Sequence, residues 1–170
     1  MTPEHKRQKC YGALFAALAV LVLIPLAAYY FGFFSRWALR ISDWQTGEVY
    51  VEYPVSPGDE LYFGWIHSLE KIPWDEYYHI DRDRNLILDT ISFPAFGAGI
   101  PHDKGNVCYI KDGIIYMSEI NQKFGEFVWM NSPTATQEIR VAGAFVTRGS
   151  ELPHHRRLVL KVERRKLFGK

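Results

Sequence analysis

Cysteine is scarce in this chain. Cys10 and Cys108 are its two cysteines in 170 residues. That count excludes a disulfide-stapled scaffold, and the wide separation excludes a Cys-x-x-Cys redox or zinc motif. An excess of one charge is missing too. Twenty basic residues against nineteen acidic ones leave +1, so no global field draws nucleic acid, and no nucleic-acid partner is expected. A phosphate loop is absent as well, because Gly97-Ala98-Gly99 has no Lys-Ser/Thr after it and no helix to supply a dipole. No Gly-x-Ser-x-Gly elbow occurs, which removes one common frame for a serine nucleophile. Hydrophobic residues at 48% and charged residues at 23% match a globular chain and exclude bulk disorder. Aromatics, by contrast, are plentiful. The 5 Trp, 10 Tyr and 11 Phe make up 15% of the chain and favour a β-rich core or an interface-rich surface.

One long uncharged run stands apart. Tyr11 to Phe34 reads YGALFAALAVLVLIPLAAYYFGFF, 24 residues without a charge. At about 1.5 Å per residue it reaches roughly 36 Å as a helix, enough to cross a bilayer with some tilt. A buried core helix of that length would normally carry a polar face. Pro25 is tolerable in lipid, where local adjustment re-satisfies the freed carbonyl. Tyr29, Tyr30, Phe31, Phe33 and Phe34 cluster at one end like an interfacial belt. Lys6, Arg7 and Lys9 precede the run, against Glu4, while Arg36 and Arg40 follow it. By a margin of one positive charge, this predicts a cytoplasmic N-terminus and a periplasmic or extracellular body. A cleaved signal peptide would need its small-residue site near Leu26-Ala27-Ala28, where Leu26 fits poorly, so an uncleaved anchor is expected. The predicted organisation is a short basic tail over 1–10, a single membrane anchor over 11–34 and an extracytoplasmic β domain over 35–170.

The body breaks into short β-prone runs separated by turn residues. Glu48 to Tyr53 alternates and then meets Pro54 and Ser56-Pro57-Gly58-Asp59. Further runs are Glu60 to Ile66, Tyr77 to Asp81, Leu86 to Phe93, Gly105 to Ile110, Ile114 to Ile120, Phe124 to Met130, Gln137 to Val141 and Arg157 to Val162. Lys111-Asp112-Gly113 between two of them is a hairpin signal. The spacing predicts a mainly β fold, an antiparallel sandwich or small barrel, after one N-terminal transmembrane helix. Charge is uneven along the body. Residues 41–90 hold eleven acidic residues against Lys71, Arg82 and Arg84, while residues 155–170 hold seven basic ones against Glu163. These strands are expected to neutralise each other within the fold; the alternative is a basic tail touching anionic lipid or a partner.

Two segments concentrate chemistry, Trp65 to His79 and Phe93 to Asp103. Ser68, His67 and Glu70 have the residue types of a hydrolase triad. Adjacent residues of an extended chain face opposite sides, however, so His67 is badly placed to deprotonate Ser68. Glu70 with Asp75 or Glu76 has the makings of an acid–base pair, but solvated charges at a strand start are the simpler reading. His67, Glu70, His79, His102 and Asp103 supply metal-ligand types with no His-x-His spacing, so neither a metal nor a cofactor is expected. The glycines after Phe96 point to a backbone with positive φ or a close approach, and Pro101 fixes the exit. Trp65, Trp74 and Phe96 are candidates to wall an apolar site. His67, Ser68 and Glu70 sit between apolar runs and need polar partners, and a glycine-rich loop can offer its N–H groups to Glu70. The His67–Glu70 turn and the Gly97–Pro101 loop are therefore expected to pack together.

Taken in order, His67-Ser68-Leu69-Glu70, Pro73-Trp74-Asp75-Glu76 and Phe96-Gly97-Ala98-Gly99-Ile100-Pro101 resemble the motifs of the "domain of unknown function eighteen-fifty" family, over roughly residues 45–162. The second position after Ser in the family is usually Glu preceded by Val; here Leu69 stands in the Val position. The resemblance implies a small β-rich body behind one apolar segment, often encoded beside TRAP-type transporters of the TAXI subclass. It implies an envelope location and an accessory role in solute uptake, with a TRAP-type transporter or its solute-binding protein as partner, and it lends no catalytic residue. The expected function is a membrane-anchored binding or accessory module. The candidate binding residues are His67, Ser68, Glu70, Pro73, Trp74, Glu76, Gly97, Gly99 and Pro101. The alternatives are an envelope hydrolase or metal-dependent enzyme built on His67, Glu70 and His102, and a purely structural interaction domain.

Overall fold

The computed structural model describes residues 18–26 and 37–165. The basic tail over 1–10, most of the apolar run over 11–34 with its aromatic cluster, and residues 166–170 lie outside the described residues. Residues 18–26 are helical, and their aliphatic side chains, Leu21 and Ile24 among them, are exposed. No helix among the described residues is long and apolar enough to cross a membrane. The chain divides into two units, residues 1–35 and 36–170.

The second unit is mainly β. Its strands are β1 (Trp37–Asp43), β2 (Val49–Val55), β3 (Glu60–Ile66), β4 (Pro73–Ile80), β5 (Leu86–Phe93), β6 (Val107–Lys111), β7 (Ile114–Ser118), β8 (Gln122–Phe124), β9 (Phe127–Met130), β10 (Thr136–Val141), β11 (Ala144–Thr147) and β12 (Arg157–Arg164). They form two antiparallel sheets. The smaller runs β2-β1-β12-β9. The larger runs β11-β10-β3-β4-β5-β7-β6, with β8 also on β5. Leu39, Ile41, Val55, Leu158, Leu160 and Val162 of the small sheet share one core with Leu61, Phe63, Ile80, Leu86, Ile91 and Phe93 of the large one. Phe63 and Phe127 meet across this space with ring centroids 4.8 Å apart. Two facing sheets, each with free edges, make a sandwich-like arrangement.

Local chemistry explains most boundaries. Pro54 lies on β2, an edge strand of its sheet, where a missing N–H is harmless. Asp112 and Gly113 have φ of 52° and 78° and join β6 to β7 through a two-residue turn, Lys111 opposite Ile114. The run Phe124 to Met130 divides in two. β8 pairs with β5 and β9 with β12, so the chain changes sheets at Gly125-Glu126. β7 and β8 share one side of β5, opposite residues 91–93 and 86–88, with Glu119 and Asn121 at positive φ between them.

Two strands have no counterpart in the sequence reading. β1 lies between β2 and β12 and is buried at Ala38, Leu39, Ile41, Ser42 and Asp43, so it shows no polar alternation. β11 has only four residues after the tight turn at Ala142-Gly143. Charge pairing between the acidic stretch and the basic end is local to the small sheet. Arg165 reaches Glu52 at 3.2 Å and Arg156 approaches Asp43 at 4.0 Å, while Arg40 bridges Glu52 and Glu163 at 2.8 Å each. The acids of β4 meet none of these cations.

Candidate functional site

The two motif segments meet at one end of the large sheet. β3 leaves the sheet at Ile66, whose N–H donates to the Ala135 carbonyl at 2.8 Å. The following turn is closed by His67 N–H to the Ile72 carbonyl and Lys71 N–H to the His67 carbonyl, at 2.8 and 2.9 Å, with Lys71 at φ 57°. The Glu70 N–H donates to Nδ1 of His67 at 3.3 Å. Glu70 then reaches the glycine loop, where its Oε1 accepts the Ala98 N–H at 2.7 Å. Gly97 makes the approach possible, because a Cβ there would lie 2.5 Å from the Glu70 carboxyl carbon. Gly99 has φ of 80° and passes close to the His67 ring. The expected packing of turn against loop is thus present, through Ala98 between the two glycines.

A run of stacked rings ties the same residues to the core. The His67 ring lies 5.6 Å from Trp65 and 5.7 Å from Trp74. Trp74 stacks on Phe93 at 5.0 Å, Phe93 meets Phe96 edge-on, and Phe96 stacks on His102 at 5.0 Å. Trp74 is buried, while Ser68, Glu70 and Phe96 are exposed. Pro73 opens β4 opposite Ile66, and Pro101 follows the buried Ile100.

Glu76 corrects the expectation of a solvated charge at a strand start. Strand alternation puts Trp74, Glu76 and Tyr78 on one face of β4, and that face looks into the space between the sheets. Glu76 Oε1 accepts the indole N–H groups of Trp65 at 3.3 Å and Trp74 at 3.1 Å, and Oε2 accepts the Tyr78 hydroxyl. Burial pushes the Glu76 carboxyl above its usual range, and the three donors and the through-space pull of Lys104 oppose that rise only in part. Burial, reinforced by Glu76, likewise pushes the Tyr78 hydroxyl up.

Beside Glu76 lies a cavity of 310 Å³ between the sheets. Phe63, Trp65 and Glu76 line it from the large sheet, Phe127 and Trp129 from the small one, with Ser68 and Thr136 among its polar lining. Trp65 walls it as the sequence suggested; Trp74 stands behind Glu76, and Phe96 is not part of the wall. Phe127 and Trp129 were not foreseen. They come from β9, beyond the last of the three motifs, with no local sign of where they pack.

A larger concavity of 690 Å³ lies on the other face of the large sheet, away from most motif residues. Tyr62, Tyr77, Tyr109, Tyr116, Asp89 and Arg140 line it. Several of its polar groups have partners. Tyr62 donates to Asp75 at 2.7 Å, His79 meets Asp89 at 2.6 Å, and Arg140 pairs with Glu138 at 2.8 Å. His79 therefore sits apart from His67 and His102. Among the described residues, no three His, Cys, Asp or Glu side chains gather as metal ligands would. No hydrogen bond among them joins Ser68 to either His67 or His102.

The fold and site together define a two-sheet β domain with an aromatic, carboxylate-bearing cavity between its sheets. The chain belongs to the family described as a domain of unknown function (DUF1850), whose family model matches residues 61–147. That match runs from β3 to β11 and contains all three motifs; it is narrower than the 45–162 expected. No curated protein and no solved structure matches the chain.

Proposed function

We propose that this chain is a membrane-anchored binding module that serves a solute transport system, with the β body outside the cytoplasm. The observation that carries the binding role is the cavity. A preformed aromatic recess with one inward carboxylate is the architecture of a ligand site. Anchoring rests on the uncharged run 11–34, and orientation on the basic residues before it. The transport role rests on the resemblance of the three motifs to proteins often encoded beside TAXI-type transporters. An enzyme reading finds less support, because His67 spends Nδ1 on the Glu70 N–H and has no nucleophile within a hydrogen bond.

The test is crosslinking in cells followed by purification of the full chain in a nonionic detergent. Recovery of a transport membrane protein or its solute-binding protein supports the reading. A folded chain that recovers neither, although its gene neighbours are expressed, overturns it. An alkaline phosphatase fusion after Lys170 checks orientation and should be active.

A further inference from the structure

The cavity between the sheets carries a carboxyl group that its own lining leaves without a cationic partner. Glu76 is its one acidic lining residue, and no Lys or Arg lines it. Among the described residues no cation forms an ion pair with Glu76, and Lys104 acts on it only through space. The three groups that hold the carboxylate, two indoles and a phenol, are neutral donors. They fix its orientation without cancelling its charge. A carboxylate offers about four acceptor positions, so Oε2, with one donor, has room for another.

We propose that this cavity takes a small organic cation, an alkylammonium or guanidinium group, held by Glu76 inside a box of aromatic rings. The proposal rests on the reading of the chain as a binding module and names the ligand class of that module. Four rings line the space: Phe63, Trp65, Phe127 and Trp129. Phe127 and Trp129 stack at 5.7 Å, and both turn toward Phe63, at 4.8 and 5.4 Å. Ring faces attract cations most strongly where water is excluded, and such boxes suit weakly hydrated ammonium groups. An anion in the same space meets the Glu76 charge directly. A neutral apolar ligand seals that charge away from water with nothing to balance it. Only a cation gains from both the rings and the carboxylate. The volume of 310 Å³ lies near the lower end for small-molecule sites, of order 300–1,000 Å³, which sets the size of the ligand. Ser68 and Thr136 are placed to hydrogen-bond a ligand hydroxyl or N–H that the rings leave unsatisfied.

The test uses the full chain in nonionic detergent and follows tryptophan fluorescence with calorimetry as a check. The probes are tetramethylammonium, methylguanidinium, the neutral neopentyl alcohol and the anion pivalate. Saturable binding of one of the cations, about tenfold tighter than the alcohol and tighter still than pivalate, is expected. Glu76→Gln should lower cation affinity about tenfold or more and erase the preference over the alcohol. Phe127→Leu, which keeps the wall apolar but removes a ring, should weaken the cation more than the alcohol. It decides the matter if Glu76→Gln does not fold. A neutral or anionic probe that binds as tightly as the cations, undiminished cation binding in a folded Glu76→Gln chain, or no cation binding by the folded parent overturns the proposal. If the crosslinked transport protein is still recovered in that case, the ligand class falls and the module reading stands.

Discussion

Asp75 and Glu76 are neighbours on β4, yet they meet opposite sides of the large sheet. Asp75 accepts the Tyr62 hydroxyl and, at 3.4 Å, the Ser92 hydroxyl. Glu76 accepts two indoles and a phenol between the sheets and borders the cavity. Both carboxylates are held by neutral donors from aromatic side chains. The difference lies in what surrounds them. On the outer face two other acids have partners: His79 hydrogen-bonds Asp89, and Arg140 pairs with Glu138. On the inner face Glu76 is the single acid among rings. A shift of one position along a strand thus separates a carboxylate on the polar outer face from a carboxyl group that looks into the space between the sheets.

The strongest way to break this contrast is to empty the inner face. Trp74→Ala removes a buried ring that stacks on Phe93 and donates to Glu76, and it should cost about 3–5 kcal/mol in urea unfolding. Tyr77→Ala, one of the exposed rings outside, should cost clearly less. Equal losses would show that the two faces do not differ in burial energy.

The second test uses pH. A carboxyl whose folded pKa is raised binds its proton more tightly in the folded state than in the unfolded chain. Its contribution is complete below the ordinary carboxylate pKa and is lost as pH rises through the folded value. Glu76→Gln should therefore gain melting temperature relative to the parent as pH rises from about 4 to about 8. A parent–variant difference independent of pH would contradict the burial of Glu76.

Two smaller effects sharpen the comparison. Gly64→Ala places a Cβ against the Tyr62 hydroxyl and ring, so Tyr62 must leave Asp75. The expected loss is about 1 kcal/mol, with no effect on ligand binding in the cavity. Glu70→Ala removes the acceptor of the Ala98 N–H at an exposed junction and should cost about 1 kcal/mol or less by thermal melt. If it abolishes recovery of the transport partner without moving the melt, the junction is a recognition surface.

The sequence showed one face of this contrast better than the other. β3 and β5 were legible to the residue, because alternation and flanking turn residues agree at both ends. The contact of Glu70 with the glycine loop followed from two simple needs, a polar turn in want of donors and a backbone without Cβ. Glu76 was misread because a carboxylate beside Asp75 and Pro73 looks like surface. The signal was its period of two with Trp74 and Tyr78, and it becomes readable only once β4 is known to begin at Pro73. The far wall was beyond local reading. Phe127 and Trp129 reach the cavity because the chain changes sheets at Gly125-Glu126, and no pattern within a strand records that crossing.

The position of β12 bears on the order of folding. β1 pairs on one side with the adjacent β2 and on the other with a strand more than a hundred residues later, and β9 joins the small sheet only through β12. A chain emerging from its N-terminal end can form the β3-β4-β5 meander early from local contacts, whereas the small sheet closes only after Arg157–Arg164 appears. On that order, the carboxylate and indoles of the large sheet come into place before Phe127 and Trp129 are fixed opposite them. An interruption before Arg157 removes the strand that pairs β9, and with it Phe127 and Trp129, to the small sheet.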